Sequence, residues 1–319
     1  MIIETVDYHT GGEPFRIVTG GGPDIPGASV LDRRANAARP EFDAVRRLLC
    51  HEPRGHDDMY GCFLVPPDSP GAHLGVLFWH KDGYSTACGH GTIALGVHAV
   101  QEGLVEAAAD GETDVVVDVP SGRVTARVRC SGGRVTGVVF RNVVSSVLAR
   151  GVPAAGAEAD LAYGGAVYAS VPAAAFGLSV TPGDLPELIA LGRRIKAELA
   201  GHPATAHPEE PRLSGVYGVI FHEELGPGHQ RNVTVFADGE VDRSPCGSGT
   251  AARLALLHED GFEGPLTHES IVGSVFTGRV AEVVDGGIVP EIEGIAYRTG
   301  RHTFELDPDD PIGTGFSLR

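Results

Sequence analysis

Two cysteines occupy the same short setting in different halves of the chain. The first reads Cys88-Gly89-His90-Gly91-Thr92-Ile93-Ala94 and the second Cys246-Gly247-Ser248-Gly249-Thr250-Ala251-Ala252, both of the form C-G-x-G-T-x-A. The match extends upstream without a gap: Phe78 and Phe236 each stand ten residues before the cysteine, closing the apolar runs Gly75-Val76-Leu77-Phe78 and Val233-Thr234-Val235-Phe236. Ala/Leu-rich sequence comes after each cysteine. The repeated unit therefore reads strand, turn, Cys-Gly-x-Gly, helix. An internal duplication of this kind bears on the architecture and on the chemistry together.

A glycine-rich turn that opens a helix leaves unpaired backbone N–H groups pointing at one spot, and the helix dipole adds positive potential there. Carboxylates bind such ends readily. The same field favours a cysteine there as its thiolate. Two such units facing each other would hold one carboxylate and flank its α-carbon with two thiols. One thiolate could then remove the Cα proton while the other thiol returns one from the opposite face, with the N–H donors stabilising the developing negative charge. The usual alternative, a pyridoxal Schiff base, needs a lysine. Only Lys81 and Lys196 are present, and neither lies in a recognisable cofactor motif. No cofactor and no metal are expected. A single Cys-Gly-x-Gly is weak, because cysteine before a glycine turn is common; the ungapped duplication is the feature that points to function. A reversible disulfide between Cys88 and Cys246 is a secondary reading.

The bulk composition limits the alternatives. The chain has 319 residues, enough for about two domains, with 42% hydrophobic and 21% charged residues. A formal charge of −17 disfavours nucleic acid and anionic membranes as partners. No apolar run approaches the roughly 20 residues of a membrane span, and the start carries no signal-like segment, so a cytoplasmic location is expected. Five scattered cysteines without a CxxC pair argue against a disulfide framework or structural zinc. Cys50, Cys62 and Cys130 read as small core residues.

The elements that must position the two turns are read from local pattern. Residues 1–21 read as a strand pair about His9-Thr10-Gly11-Gly12-Glu13-Pro14, and Ser29–Leu49 as a helix-rich stretch divided by Pro40. Met59–Val65 reads as a strand, and residues 90–101 as the first central helix. Residues 113–149 alternate as a β-meander, with more strands around 162–171. Leu185–Leu199 has helical spacing. A Pro- and His-rich loop then leads to the strand Val216–Phe221, the second Cys unit and a helix to about Glu259. The tail, 270–319, reads as short strands and glycine turns. The expected organisation is α+β: an N-terminal half, 1–125 with a returning tail at about 296–319, holding Cys88, and a C-terminal half, 126–295, holding Cys246.

These stretches together resemble the proline racemase family over the whole chain. The resemblance is carried by His9-Thr10-Gly11-Gly12-Glu13-Pro14, Glu52-Pro53-Arg54-Gly55-His56, Asp58-Met59-Tyr60-Gly61, Cys88-Gly89-His90-Gly91-Thr92, Asp242-Arg243-Ser244-Pro245-Cys246-Gly247-Ser248-Gly249-Thr250 and Gly273-Ser274-Val275-Phe276-Thr277-Gly278. The family includes proline racemase, 4-hydroxyproline 2-epimerase and trans-3-hydroxy-L-proline dehydratase. The resemblance implies a diaminopimelate-epimerase-like fold: two pseudo-symmetric halves, each a curled, mainly antiparallel sheet around a central helix, with the site in the cleft between them. It implies Cys88 and Cys246 as the acid/base pair. Gly89, His90, Gly247 and Ser248 would hold the substrate carboxylate and ring, Asp242 and His90 the ring amine, and Tyr60 and Phe236 would wall the ring. Four of these also have a plain structural reading. Tyr60 and Phe236 could pack a core, Asp242 could pair with Arg243, and His90 could simply open a helix. The small-molecule partner would be proline or a hydroxyproline, and a homodimer is allowed.

The details divide between branches. Leu74-Gly75-Val76-Leu77-Phe78, Asp82-Gly83-Tyr84-Ser85-Thr86 and Asp238-Gly239-Glu240-Val241-Asp242 look most like the trans-3-hydroxyproline dehydratase branch, which typically carries Thr at the position of Cys246. Dehydration needs one base at Cα and loss of the β-hydroxyl, and no second thiol. Cysteine at both positions points instead to proton exchange at one carbon. The expectation is therefore a two-base racemase or epimerase of proline or hydroxyproline, with dehydration as the alternative. A non-catalytic carboxylate-binding or thiol-switch protein is the reading from another class.

Overall fold

The computed structural model describes residues 1–318. The chain divides into two units, Met1–Val138 with Ile295–Arg319, and Val139–Gly294. In chain order the first contains β1 (Ile2–Thr10), β2 (Glu13–Gly20), α1 (Val30–Ala37), α2 (Pro40–Cys50), β3 (Gly61–Val65), β4 (Leu74–His80), β5 (Gly83–Tyr84), α3 (Gly89–Gln101), β6 (Gly111–Val119) and β7 (Gly122–Ser131). β8 (Arg134–Arg141) carries the chain across the boundary. The second unit contains β9 (Ser146–Ala154), β10 (Ala157–Tyr163), β11 (Val167–Pro172), α4 (Leu185–Glu198), β12 (Val216–Gly226), β13 (His229–Phe236), β14 (Glu240–Asp242), α5 (Gly247–Glu259), β15 (Leu266–Ser270), β16 (Val275–Val284) and β17 (Gly287–Gly294). β18 (Ala296–Glu305) belongs to the first unit again.

The duplication seen in the sequence extends to the strand pairing. In the first unit β18, β1 and β2 pair antiparallel, β2 joins β3 in parallel, β3, β4 and β5 run antiparallel, and β4 pairs β6 in parallel before the β6–β7 hairpin. The second unit repeats this order. β9, β10 and β11 are antiparallel, β11 joins β12 in parallel, β12, β13 and β14 are antiparallel, and β13 pairs β15 in parallel before β15–β16–β17. β18 thus plays for β1 the part that β9 plays for β10. Each sheet is mainly antiparallel and the class is α+β.

Each unit wraps its sheet around one helix. α3 packs on β1, β2, β6, β7 and β18, and α5 on β9, β10, β11, β16 and β17. Both helices are buried on every side over most of their length, Gly89–Ala99 and Gly247–Leu256, as a helix enclosed by its own sheet must be. The opposite face of each sheet is covered by the outer helices. Leu77 and Trp79 of β4 pack with Val30, Val45, Leu48 and Leu49 of α1 and α2, while Val233 and Val235 of β13 pack with Leu188 and Ile195 of α4. The period-two alternation of a strand turns the intervening residues, Phe78 among them, toward the central helix.

Local signals account for the helix starts. Ser29 caps α1 by accepting from the Asp32 N–H, and Pro40 takes the first position of α2, where its missing N–H costs nothing. Two expectations shift. The boundary expected at 125 falls inside β7, which pairs along its length with β6 and packs on α3, so the division comes at 138 instead. The tail strands β16 and β18 have 10 residues each and are not short, because each has a full-length neighbour to pair with.

Candidate active site

Cys88 sits at the N-cap of α3 with extended backbone, φ −156°. Its sulfur accepts the Gly91 N–H at 3.2 Å, so the side chain folds back over the first turn. Gly91 is required by that fold. A Cβ at this position would lie 2.7 Å from the Cys88 Sγ and 2.4 Å from Phe15. Thr92 anchors the turn, its N–H and hydroxyl both donating to the Cys88 carbonyl at 3.0 and 2.8 Å. Thr10, at the end of β1, donates to the His90 carbonyl at 3.0 Å. Both ring nitrogens of His90 stand 3.5 Å from the Cys88 sulfur. Tyr60 and Phe15 approach the His90 ring edge to face, at centroid distances of 4.9 and 5.7 Å. The Tyr60 hydroxyl is fixed by Ser85 at 2.5 Å.

The second turn shares the plan but not the backbone. Cys246 has φ +60° and ψ 101°, a conformation that a residue with a Cβ rarely adopts. Such strain costs on the order of 1–3 kcal/mol and persists only where neighbours over-determine it. Here the neighbours are identifiable. Asp242, closing β14, accepts from the N–H and hydroxyl of Ser244 at 2.8 and 2.7 Å, and the Ser244 hydroxyl accepts the Cys246 N–H at 3.1 Å. Thr250 donates its N–H to the Cys246 carbonyl at 2.7 Å and its hydroxyl to the Pro245 carbonyl at 3.0 Å. Asn232 donates to the same Pro245 carbonyl at 3.2 Å. His268 holds the Thr250 hydroxyl from behind at 2.8 Å. A Cβ on Gly249 would lie 2.8 Å from the Cys246 Sγ, so the third motif position is glycine for the same reason in both copies. Tyr168 bridges the Cys246 sulfur, at 3.9 Å, and the Ser248 hydroxyl, at 2.7 Å.

The electrostatics at Cys246 correct one expectation. A thiol at a helix N-terminus is expected to favour its thiolate, but the Cys246 thiol is pushed up, mainly by burial and then by the Asp242 carboxylate. The Gly249 N–H and the Thr234 and Tyr168 hydroxyls act the other way and are outweighed. Cys246 is therefore held as its protonated thiol at neutral pH.

All nine residues singled out in the sequence are buried, eight of them in or beside the two Cys turns. Tyr60, Cys88, Gly89 and His90 gather at the first turn. Asp242, Cys246, Gly247 and Ser248 form the second, with Phe236 at the end of β13, its ring stacked on Tyr217 at 5.7 Å. Sequence reasoning missed Phe15, Ser85, Tyr168, Ser244 and His268. Phe15 comes directly after the Glu13-Pro14 turn and Ser244 lies inside the quoted motif, so both carried a signal. Tyr168 and His268 lie in ordinary strand sequence and carried none.

Residues 5–317 match the family described as proline racemase, and the chain belongs to that family. Its fold is the diaminopimelate-epimerase-like α+β architecture. Among relatives, it is 43% identical over 330 residues to a trans-3-hydroxy-L-proline dehydratase of Bacillus thuringiensis subsp. konkukian, covering 99% of this chain and 98% of that protein. It is 44% identical over 331 residues to a 3-hydroxyproline 2-epimerase of Burkholderia multivorans, with the same coverage. A hydroxyproline epimerase from Agrobacterium vitis, solved with bound trans-4-OH-L-proline, superposes with a TM-score of 0.93 at 31% identity, covering 99% of this chain and 95% of that one. No helix among the described residues is long and apolar enough to cross a membrane.

Proposed function

We propose that this chain is a cofactor-independent 2-epimerase of 3-hydroxyproline, using Cys88 and Cys246 as paired base and acid. The observation that carries the reading is a cysteine at the head of both central helices, each with its sulfur folded over a glycine that the fold demands. Among the proline and hydroxyproline substrates first expected, the relatives' names favour 3-hydroxyproline. The two at 43–44% identity bear names that share 3-hydroxyproline and differ in the fate of the molecule once Cα is deprotonated.

In this reading the Cα proton passes to the Cys88 thiolate, and the Cys246 thiol, protonated at rest, delivers its proton to the opposite face. The cysteines end with protonation states exchanged and are reset by the reverse reaction or by solvent. The first-turn N–H groups at Gly89, His90, Gly247 and Ser248 hold the carboxylate and stabilise the charge that develops on it. Asp242 and His90 hold the ring amine, and Tyr60 and Phe236 wall the ring. No step of this scheme calls on a metal or an organic cofactor.

Proton NMR in D₂O with reduced protein and trans-3-hydroxy-L-proline tests this. Deuterium is expected at Cα with inversion at that carbon and the 3-hydroxyl retained. Cys88→Ser and Cys246→Ser are each expected to lower turnover by about 10³-fold or more. The relatives' dehydratase names favour a second reading. In it Cys88 takes the Cα proton and gives it up to the 3-hydroxyl, which leaves as water, and the resulting enamine tautomerises to Δ1-pyrroline-2-carboxylate. Disappearance of the C3–H carbinol resonance, with the signals of a cyclic imine carboxylate in its place, would establish that reaction and remove Cys246 from the role of reprotonating acid.

A further inference from the structure

The second unit holds a polar cavity of about 530 Å³ that opens to solvent, lined by residues of β10, β11, β12 and α5. This volume is within the range of small-ligand sites. Arg253 lines it seven residues beyond Cys246, about 10 Å further along α5. The cavity is thus separate from the thiol turn.

Three of its lining groups are deeply buried and under-satisfied. Arg253 is 6% exposed. Its Nε donates to the Gln230 side-chain oxygen at 3.0 Å, and its nearest carboxylate, Glu224, is 4.0 Å away. His222 and Ser170 are 7% and 3% exposed, yet His222 Nδ1 and Ser170 Oγ have no hydrogen-bond partner among the described residues. Buried polar atoms left unpaired are rare in folded proteins and call for an explanation. Burial keeps His222 neutral, so the set offers one fixed positive charge with a hydroxyl and an imidazole beside it. That is a receptor for a carboxylate.

The other polar groups of the lining have the opposite sign. Asp160 and Asp260 are bound by Arg150 at 2.9 and 3.1 Å, while Glu158, exposed, has no ion pair among the described residues. A cation within and a free carboxylate nearby disfavour phosphate or sulfate, whose second charge would meet Glu158. They suit a ligand with a carboxylate at one end and an ammonium at the other. We infer that the cavity bounded by Arg253, His222, Ser170 and Glu158 is a second binding site, for a small zwitterionic amino acid. The inference stands apart from the reading of the two cysteines.

The test is a titration of the intact, isotopically labelled protein with L-alanine, monitored through the amide resonances of Ala157, Ser170 and Ala175. Saturable shifts at about millimolar concentration are expected. Acetate and methylammonium, each with half of the required charge, should bind at least about tenfold more weakly. Arg253→Met and Glu158→Gln should each weaken L-alanine by about tenfold or more. Glu158 is exposed, so its variant carries the test even if Arg253→Met fails to fold. Absence of shifts at these amides would overturn the inference. So would inorganic phosphate binding more tightly than L-alanine, or a Glu158→Gln protein that binds L-alanine unchanged.

Discussion

Alanine at Gly249 separates the position of the thiol from the stability of the fold. The added methyl would stand 2.8 Å from the Cys246 sulfur and 3.2 Å from both the Cys246 Cβ and the Ile220 Cδ1. Carbon contacts are comfortable at about 3.5–4.0 Å, so the sulfur must retreat by roughly 1 Å. Overpacking costs about 1–3 kcal/mol, and replacing glycine by alanine in a helix returns up to about 1 kcal/mol. The net loss expected for Gly249→Ala is about 0–2 kcal/mol. Gly91→Ala meets the Phe15 ring at 2.4 Å as well as the Cys88 sulfur at 2.7 Å, and Phe15 is fully buried. With the same helical gain offset, its loss should lie at the upper end, about 2 kcal/mol. Displacing a reacting atom by 1 Å costs on the order of 10²-fold in rate. Urea denaturation would give the stabilities, and Cα–H exchange of 3-hydroxyproline in D₂O the activities. A Gly249→Ala protein that exchanges Cα deuterium at the wild-type rate would refute the reasoning, because its thiol would not have been held by that close approach.

Other expectations concern buried charge and the support of the second turn. Arg16 pairs with Asp7 at 2.8 Å and donates to the Leu49 and Arg54 carbonyls at 2.7 and 2.9 Å, both side chains being buried, so Arg16→Met should lower unfolding free energy by about 3–5 kcal/mol in urea. His98 is held down to about 4, mainly by burial, against an ordinary value of 6.5. Its folded value is depressed, so its contribution is complete above pH 6.5 and disappears as pH falls from 6.5 through 4. The amount is about 3 kcal/mol, and His98→Gln should flatten the acid limb of a stability–pH curve over that window. Ser244→Ala removes the link between Asp242 and the Cys246 N–H. It should cost about 1–3 kcal/mol of stability, and in steady-state assays kcat should fall more than KM.

The sequence carried those features that repeat or that obey local rules. The twin Cys-Gly-x-Gly turns, the two enclosed helices and the β6–β7 hairpin at the start of the expected meander were visible because glycine spacing and apolar periodicity are properties of neighbouring residues. The position of β18 beside β1 was visible only as a returning tail, since nothing in Ala296–Glu305 itself names its partner. The φ of +60° at Cys246 was hidden, because a cysteine in a left-handed conformation breaks the local preference that a sequence reading must assume. Its protonated state was hidden too. The helix field was legible at that point, but the burial that outweighs it is created by the assembled fold and cannot be read from neighbouring residues. The Thr250–His268 bond is likewise a product of the fold, joining a helix to a strand later in the chain.

The pairing of β18 with β1 also has a consequence for the order in which the chain leaves the ribosome. The strands β9–β17 of the second unit lie within one continuous stretch, Val139–Gly294, so they can pair while synthesis is still under way. Those of the first unit cannot all do so. Its β1 emerges at the outset but keeps one edge unpaired until β18 appears nearly three hundred residues later. An open strand edge is a template for wrong pairing, and domains assembled from distant segments are exposed to it for as long as the missing strand is delayed. The unit made first is therefore the one finished last.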